Sequence, residues 1–151
     1  MKRALILTVG TSSNSADDIA ERLAEDIKLY NPSYVGFVVT ESSESNAKRI
    51  VEALKLGAER YEILKLNSPH NLEEIFHKVN GLIRQIVERG YPPENISVNY
   101  TSGTKVMSSG AVLSAVFNSC ERLRYIFASE SSELESRVIT TSPRAIFAYR
   151  D

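Results

Sequence analysis

The sequence predicts an α/β fold: a Rossmann-like, doubly wound, mainly parallel sheet with helices on both faces and a C-terminal β-hairpin. Three observations predict it. Short, nearly continuous apolar runs recur along the chain, as strands buried on both faces do. Between them lie longer segments whose apolar residues repeat at helical spacing. The connections are short, so strand and helix alternate four times, which gives right-handed crossovers and a parallel sheet.

The elements follow in order. Ala4 to Val9 is the first apolar run and reads as a buried strand. Gly10 to Asn14 is a loop, and Ser15 with Asp18 resembles a helix-start capping pair. Ile19, Leu23, Ile27 and Tyr30 give the first helix, and Asn31-Pro32 stops it. Tyr34 to Val39 is the second strand. A helix from about Glu44 carries Ala47, Ile50, Val51 and Leu54, and Gly57 ends it. Tyr61 to Leu66 is the third strand. Asn71 and Glu74 mark the start of the clearest helix, with Leu72, Ile75, Phe76, Val79, Leu82, Ile83, Ile86 and Val87 on its apolar face. Gly90 and Pro92-Pro93 end it. Ile96 to Tyr100 is the fourth strand, Thr104 to Asn118 the fourth helix and Leu123 to Ala128 the fifth strand. The polar run Ala128 to Arg137 is a loop. Val138 to Thr141 and Ala145 to Tyr149 read as two final strands around Ser142-Pro143, a terminal hairpin.

Composition bounds the function. The chain has 151 residues, 42% apolar and 25% charged. These values suit one domain, 1–151, with a core that needs no metal or disulfide staple. Its formal net charge of −1 argues against a nucleic-acid duplex as partner, yet permits a small anion held in one pocket. The one cysteine, Cys120, reads as a packed thiol. With no signal peptide and no apolar run of membrane-spanning length, the expected setting is the reducing cytoplasm, away from membranes.

A doubly wound sheet places its strands in the order three, two, one, four, five. The order reverses between strands one and four, and ligands bind beyond the carboxyl ends of those strands. The loops there read GTSSNS (residues 10–15) and TSGTK (101–105), among the most hydroxyl-rich segments of the chain. Each precedes a helix, so free N–H groups and the positive end of a helix dipole face outward. Gly10 and Gly103 allow close backbone approach. Thr11, Ser12, Ser13, Thr101, Ser102 and Thr104 offer hydroxyls, and Lys105 adds a cation where helix starts ordinarily prefer acids. The chemistry suits phosphate. Serines and threonines at helix starts also act as simple caps, and a lone lysine is ordinarily a solvated one. It is the meeting of both loops at the switch point that favours a site. There is no G-x-G-x-x-G after the first strand and no G-x-x-x-x-G-K-[ST]. His70 and His77 read as surface histidines without a third ligand at metal spacing, so no metal or cofactor is expected. The fourth helix reads as core. Its small face, Ser108, Ser109, Gly110, Ala111, Ser114 and Ala115, also suits close packing on a partner subunit.

The segments TVGTSS (8–13) and NYTSGTKVMSSGAV (99–112) resemble those of CARF domains, the CRISPR-associated Rossmann fold. In that family the fourth strand runs into Asn-x-Thr-Gly-Gly-Thr-Lys and a methionine; here Ser102 stands where glycine is usual. The resemblance implies a homodimer that binds a cyclic oligoadenylate, a second messenger of type III CRISPR immunity, across its twofold axis. By motif position Gly10, Thr11, Ser12, Thr101, Gly103, Thr104 and Lys105 lie beside the ligand. Thr40 and Glu41 come within reach of an adenine, and Asn99 supports its loop from below. The family often fuses this domain to an effector such as a nuclease. The R-x(4–6)-H pattern of the HEPN ribonuclease is absent, and the chain stops directly after an apparent strand. The expectation is either a stand-alone protein or the sensor domain of a longer one.

Three functions compete. One is a sensor of cyclic oligoadenylate, the tetra-adenylate by preference. The second is a metal-independent ring nuclease that cleaves it to linear products with a 2′,3′-cyclic phosphate, with Lys105 supplying charge and Ser12 with Thr11 orienting the phosphate. The third is a Rossmann-like domain for another mononucleotide.

Overall fold

The computed structural model describes residues 2–12, 18–127 and 137–147. Strand β1 (Ala4–Thr8) leads to α1 (Ile19–Tyr30), β2 (Tyr34–Val39) and α2 (Glu44–Leu54). Then come β3 (Tyr61–Lys65), α3 (Leu72–Glu88), β4 (Ile96–Asn99), α4 (Lys105–Phe117), β5 (Arg122–Ile126), β6 (Val138–Thr141) and α5 (Pro143–Phe147). The six strands run in the order β3-β2-β1-β4-β5-β6. All neighbours are parallel except β5 and β6. The order and the reversal between β1 and β4 match the sequence reading.

The local causes are visible. The side chain of Asp18 caps α1 by accepting from the Ala20 N–H, and Asn71 caps α3 by accepting from Glu74. Ser15, the other half of the expected α1 capping pair, lies outside the described residues. Asn31 closes α1 in a left-handed conformation at φ 55°. Helix α2 stops at Leu54, with Lys55 left-handed, ahead of the expected stop at Gly57.

The sheet divides two cores. On one face α3 and α4 pack over Ile6, Val38, Val98 and Leu123. On the other, α1 and α2 pack over Leu5, Leu7, Phe37 and Ile126. Strands β1 and β2 are buried throughout, which explains their continuous apolar runs. Cys120 is buried, and burial pushes its thiol up to about 12.

Two expectations change. The antiparallel C-terminal pair is β5 with β6, and Pro143–Phe147 is helical where the sequence predicts a strand over Ala145 to Tyr149. Pro143 takes the first helical position, where its missing N–H is harmless. Residues 148 and 149, like 128–136 of the polar run, lie outside the described residues. The small face of α4 is also used within the chain. A Cβ on Gly110 would sit 2.4 Å from Ile75 Cγ2 of α3, and the buried Ser114 hydroxyl donates toward the Phe76 and Gly110 carbonyls. What α4 presents to solvent is a stripe of larger apolar residues, Leu113 (48% exposed) and Phe117 (66%). No described helix is long and apolar enough to cross a membrane.

Candidate ligand pocket at the β1/β4 switch point

The two loops expected to carry chemistry meet beyond the carboxyl ends of β1 and β4 and line one cavity of about 520 Å³. Gly10, Thr11, Ser12, Thr40, Thr101, Ser102, Gly103 and Thr104 all border it. Ser13 lies outside the described residues. Glu41 is exposed and does not border the cavity. Lys105, the first residue of α4, is exposed and opens onto an adjoining cavity of about 700 Å³ with Tyr100, Tyr125 and Ser109.

The loops are stitched together. The Gly10 N–H donates to Ser102 Oγ at 2.7 Å, and the Thr8 hydroxyl donates to the Ser102 carbonyl at 2.5 Å. A Cβ on Gly10 would lie 2.8 Å from the Gly103 nitrogen, so no larger residue fits there without parting the loops. Gly103 itself has φ +97°, a conformation that costs glycine little. From α2, the buried Asn46 amide donates to the carbonyls of Gly10 (2.8 Å) and Ser12 (3.4 Å).

Three of the hydroxyls expected to meet a ligand, those of Thr101, Ser102 and Thr104, hold the scaffold. Thr104 caps α4, accepting from Met107 N–H at 3.1 Å and donating to the Pro69 carbonyl at 2.5 Å, so its donor is already used. Thr101 Oγ1 accepts from the Ile126 N–H at 2.8 Å, tying its loop to β5. The Thr40 N–H donates to Ser43 Oγ at 2.9 Å within the turn after β2. Ser12 is exposed at the cavity wall. The first turn of α4 still offers the N–H groups that no helix satisfies internally.

Asn99 lies under the loop, as expected. Its Oδ1 accepts from the Thr101 N–H at 3.0 Å, and its amide donates to Asp26 Oδ2 at 2.7 Å. Asp26 also holds Arg124 in a two-pronged pair at 2.5 and 3.0 Å. The Arg124 guanidinium stands 4.9 Å from the Tyr30 ring centre. All four side chains are buried.

Sequence reasoning missed Arg22, Asn46, Ser43 and Tyr125. Arg22 is the one charged side chain among the described cavity-lining residues, and it reaches the Ile126 carbonyl at 3.4 Å. No carboxylate lines the cavity among the described residues. The wall combines hydroxyls and one cation with apolar side chains such as Ile19 and Met107, and its polar part suits an anion. Helical spacing does place Arg22 one turn into α1, but which face of α1 meets the sheet depends on the packed fold. The described residues contain no cluster of His, Cys, Asp and Glu able to hold a metal, and His70 and His77 are both exposed.

No protein of curated function matches the chain in sequence. Among solved structures, a type III CRISPR defence DNA nuclease activated by cyclic oligoadenylate superimposes with TM-score 0.63 at 21% identity, over 83% of this chain and 19% of its own. Csm6 from Enterococcus italicus, bound to cyclic hexa-2′-fluoro-hexa-dAMP, gives 0.65 at 18%, over 99% of this chain and 44% of its own. Can2 from Sulfobacillus thermosulfidooxidans, in complex with cyclic tetra-adenylate, gives 0.58 at 16%, over 82% and 32%. This chain thus spans less than half the length of each. At such identities the likeness shows the fold. A family model is more specific: the Card1 CARF domain matches residues 22–142, which is most of the chain. The chain belongs to the Card1 CARF domain family.

Proposed function

We propose that this domain is a sensor of cyclic oligoadenylate, the tetra-adenylate by preference, and that it works as a homodimer. The observation that carries the reading is the cavity at the β1/β4 switch point, in a chain of the CARF family. Its two loops approach as closely as glycine permits and present backbone N–H groups and no carboxylate among the described lining residues. Phosphate groups would lie against Gly10, Thr11, Ser12 and the start of α4, with Arg22 and Lys105 supplying charge. Ser13, Thr40 and Glu41 are proposed as further ligand contacts. The similar structures that carry cyclic adenylates support the choice of ligand.

The exposed stripe of Leu113 and Phe117, continued by Leu72 of α3, supports the second copy. A ring with repeated units presents equivalent faces to two identical half-sites, and an isologous pair supplies them. An effector, fused to the domain or separate from it, would read the bound state.

Calorimetry against cyclic tetra-adenylate, cyclic hexa-adenylate and AMP tests the reading. Tight binding of one ring with a stoichiometry of one ring per two chains is expected. Binding AMP best would replace the reading with that of a mononucleotide domain. The exposed Ser12 at the cavity wall favours one further reading, ring cleavage. A ribose 2′-hydroxyl attacks the adjacent phosphorus, the 5′-oxygen leaves with the proton, and a 2′,3′-cyclic phosphate remains. The atoms balance without a co-reactant, and the protein's part is to hold the in-line geometry. Labelled cyclic tetra-adenylate incubated with the protein in EDTA, and resolved on a gel, distinguishes binding from cleavage.

A further inference from the structure

We propose that Tyr125 is the stacking platform for one base of the bound ligand, with Tyr100 fixing its ring from behind; this rests on the cyclic-nucleotide reading above. The two tyrosines are brought together by strand register. Asn99 of β4 pairs with Arg124 of β5, so the next residues, Tyr100 and Tyr125, fall side by side. The Tyr100 N–H donates to the Arg124 carbonyl at 3.1 Å and holds that alignment past the end of β4. The rings stack, with centres 5.4 Å apart and planes inclined by 21°.

The two rings differ in setting. Tyr100 is half-buried, and burial raises its hydroxyl pKa, with Tyr125 adding to the shift. Tyr125 is 37% exposed, in a strand where Leu123, Arg124 and Ile126 are all buried. With Thr101 and Gly103 it borders both the switch-point cavity and the adjoining one that holds Lys105, and it is the one aromatic residue among the three.

The chemistry fits a base. Among the described residues lining the switch-point cavity, Tyr125 is the only aromatic one. The polar loops and Arg22 suit phosphate, and they leave a purine ring without a flat apolar partner. Every base has a π-face, and stacking on an aromatic side chain meets that need without hydrogen-bond readout. Tyr100 already restricts the Tyr125 ring, so little motion remains to be lost on binding.

The test uses the whole chain, cyclic tetra-adenylate and cyclic hexa-adenylate. Tyr125→Leu is expected to weaken the preferred ring by roughly ten- to hundredfold, from the usual worth of one stacked base, and Tyr125→Phe to restore most of that loss. The chain contains no tryptophan. Tyr125→Trp therefore adds a single indole, whose emission is expected to be quenched as the ring binds. Thermal midpoints and sedimentation of each variant accompany the titrations. If wild type binds a ring, Tyr125→Leu binds it equally and the indole emission stays unchanged, the platform is wrong and the sensor reading stands. If Tyr125→Leu loses affinity only because it has become monomeric, Tyr125 is a subunit contact and the platform is overturned. If wild type binds neither ring, the sensor reading fails and the platform with it.

Discussion

Ser102 Oγ accepts the Gly10 N–H, and that one hydroxyl joins the loops of the pocket. Ser102→Ala leaves the donor without its partner. The cost of such a loss is about 1–3 kcal/mol, and at roughly 2–4 °C per kcal/mol for a chain of this size the melting midpoint should fall by roughly 2–12 °C. Ligand affinity should fall with it, because the loops part. Lys105 makes the opposite case. It is exposed, forms no ion pair among the described residues and sits at a helix start, where a cation is mildly unfavourable. Lys105→Ala should melt like wild type or slightly higher. If each of two copies contacts a phosphate, ring affinity should drop at least tenfold, since each charge-assisted contact is worth about 1.5–3 kcal/mol. Added salt should weaken wild type more than the variant. Binding titrations at two salt concentrations, with melting curves of the free proteins, read both effects. An unchanged affinity would make Lys105 a solvated surface residue. Cys120 is simpler: its thiol, pushed up to about 12 by burial, stays protonated at neutral pH, so iodoacetamide should label it only after denaturation.

Helices carry the next scale. Helix α1 is joined to α2 at its start by Asp18 and Arg49, 2.6 Å apart. The Arg49 hydrogen bond holds the Asp18 carboxyl below its ordinary value of 3.8, against a smaller opposing push from burial. A depressed carboxylate contributes stability above the unfolded pKa and loses it as pH falls through the folded value. Asp18→Asn should therefore cost stability at neutral pH and flatten the acid limb of unfolding below about pH 4, measured by urea midpoints across pH. Alternation of buried strands and amphipathic helices was legible because each strand of β1 and β2 is covered on both sides, so nearly every residue is apolar. The loop pairing was legible too, because strand order follows from alternation and the switch point follows from strand order. What was not legible depended on packing. The small residues of α4 read as core and also suited a partner subunit, and the 2.4 Å approach of Ile75 to the place of a Gly110 Cβ shows that α3 uses that face. Hydroxyls read as ligand donors in sequence because a cap and a contact use the same residue types; the Pro69 carbonyl that accepts the Thr104 hydrogen bond is 35 residues away. The apolar run after Pro143 has β-type composition, yet Ser142-Pro143 starts a helix, with the Ala145 N–H turned back to the Ser142 carbonyl at 3.0 Å. Arg22 and Tyr125 join the cavity through α1 packing and β4/β5 register, which no local pattern reports.

The whole molecule is tied across the sheet by buried polar groups. From the loop after β4 the line runs from the Thr101 N–H to Asn99, on to Asp26 of α1, then to Arg124 of β5 and the Tyr30 ring. The Tyr30 hydroxyl continues it to Ser97 (3.0 Å) and Glu121 (2.7 Å) at the far end of β4 and β5. A buried ion pair is weak evidence of stability, because desolvation offsets much of the attraction, while breaking it leaves a bare charge inside. Its use here is positional: it fixes Asn99, and Asn99 fixes the loop. This separates two variants. Asp26→Asn strands the Arg124 charge and should destabilise the domain by about 3–5 kcal/mol. Replacing both partners by apolar residues, Asp26→Leu with Arg124→Met, should cost much less, because no charge is left uncompensated. Urea unfolding of the two variants gives that comparison. Ring affinity of the double variant then isolates the loop. Asn99 loses its anchor on Asp26 while the fold persists, so affinity should fall more than stability does. A double variant as unstable as Asp26→Asn would mean the pair is needed for the fold itself. A stable double variant that binds the ring like wild type would mean that Asn99 holds the loop unaided, through its own bond to Thr101.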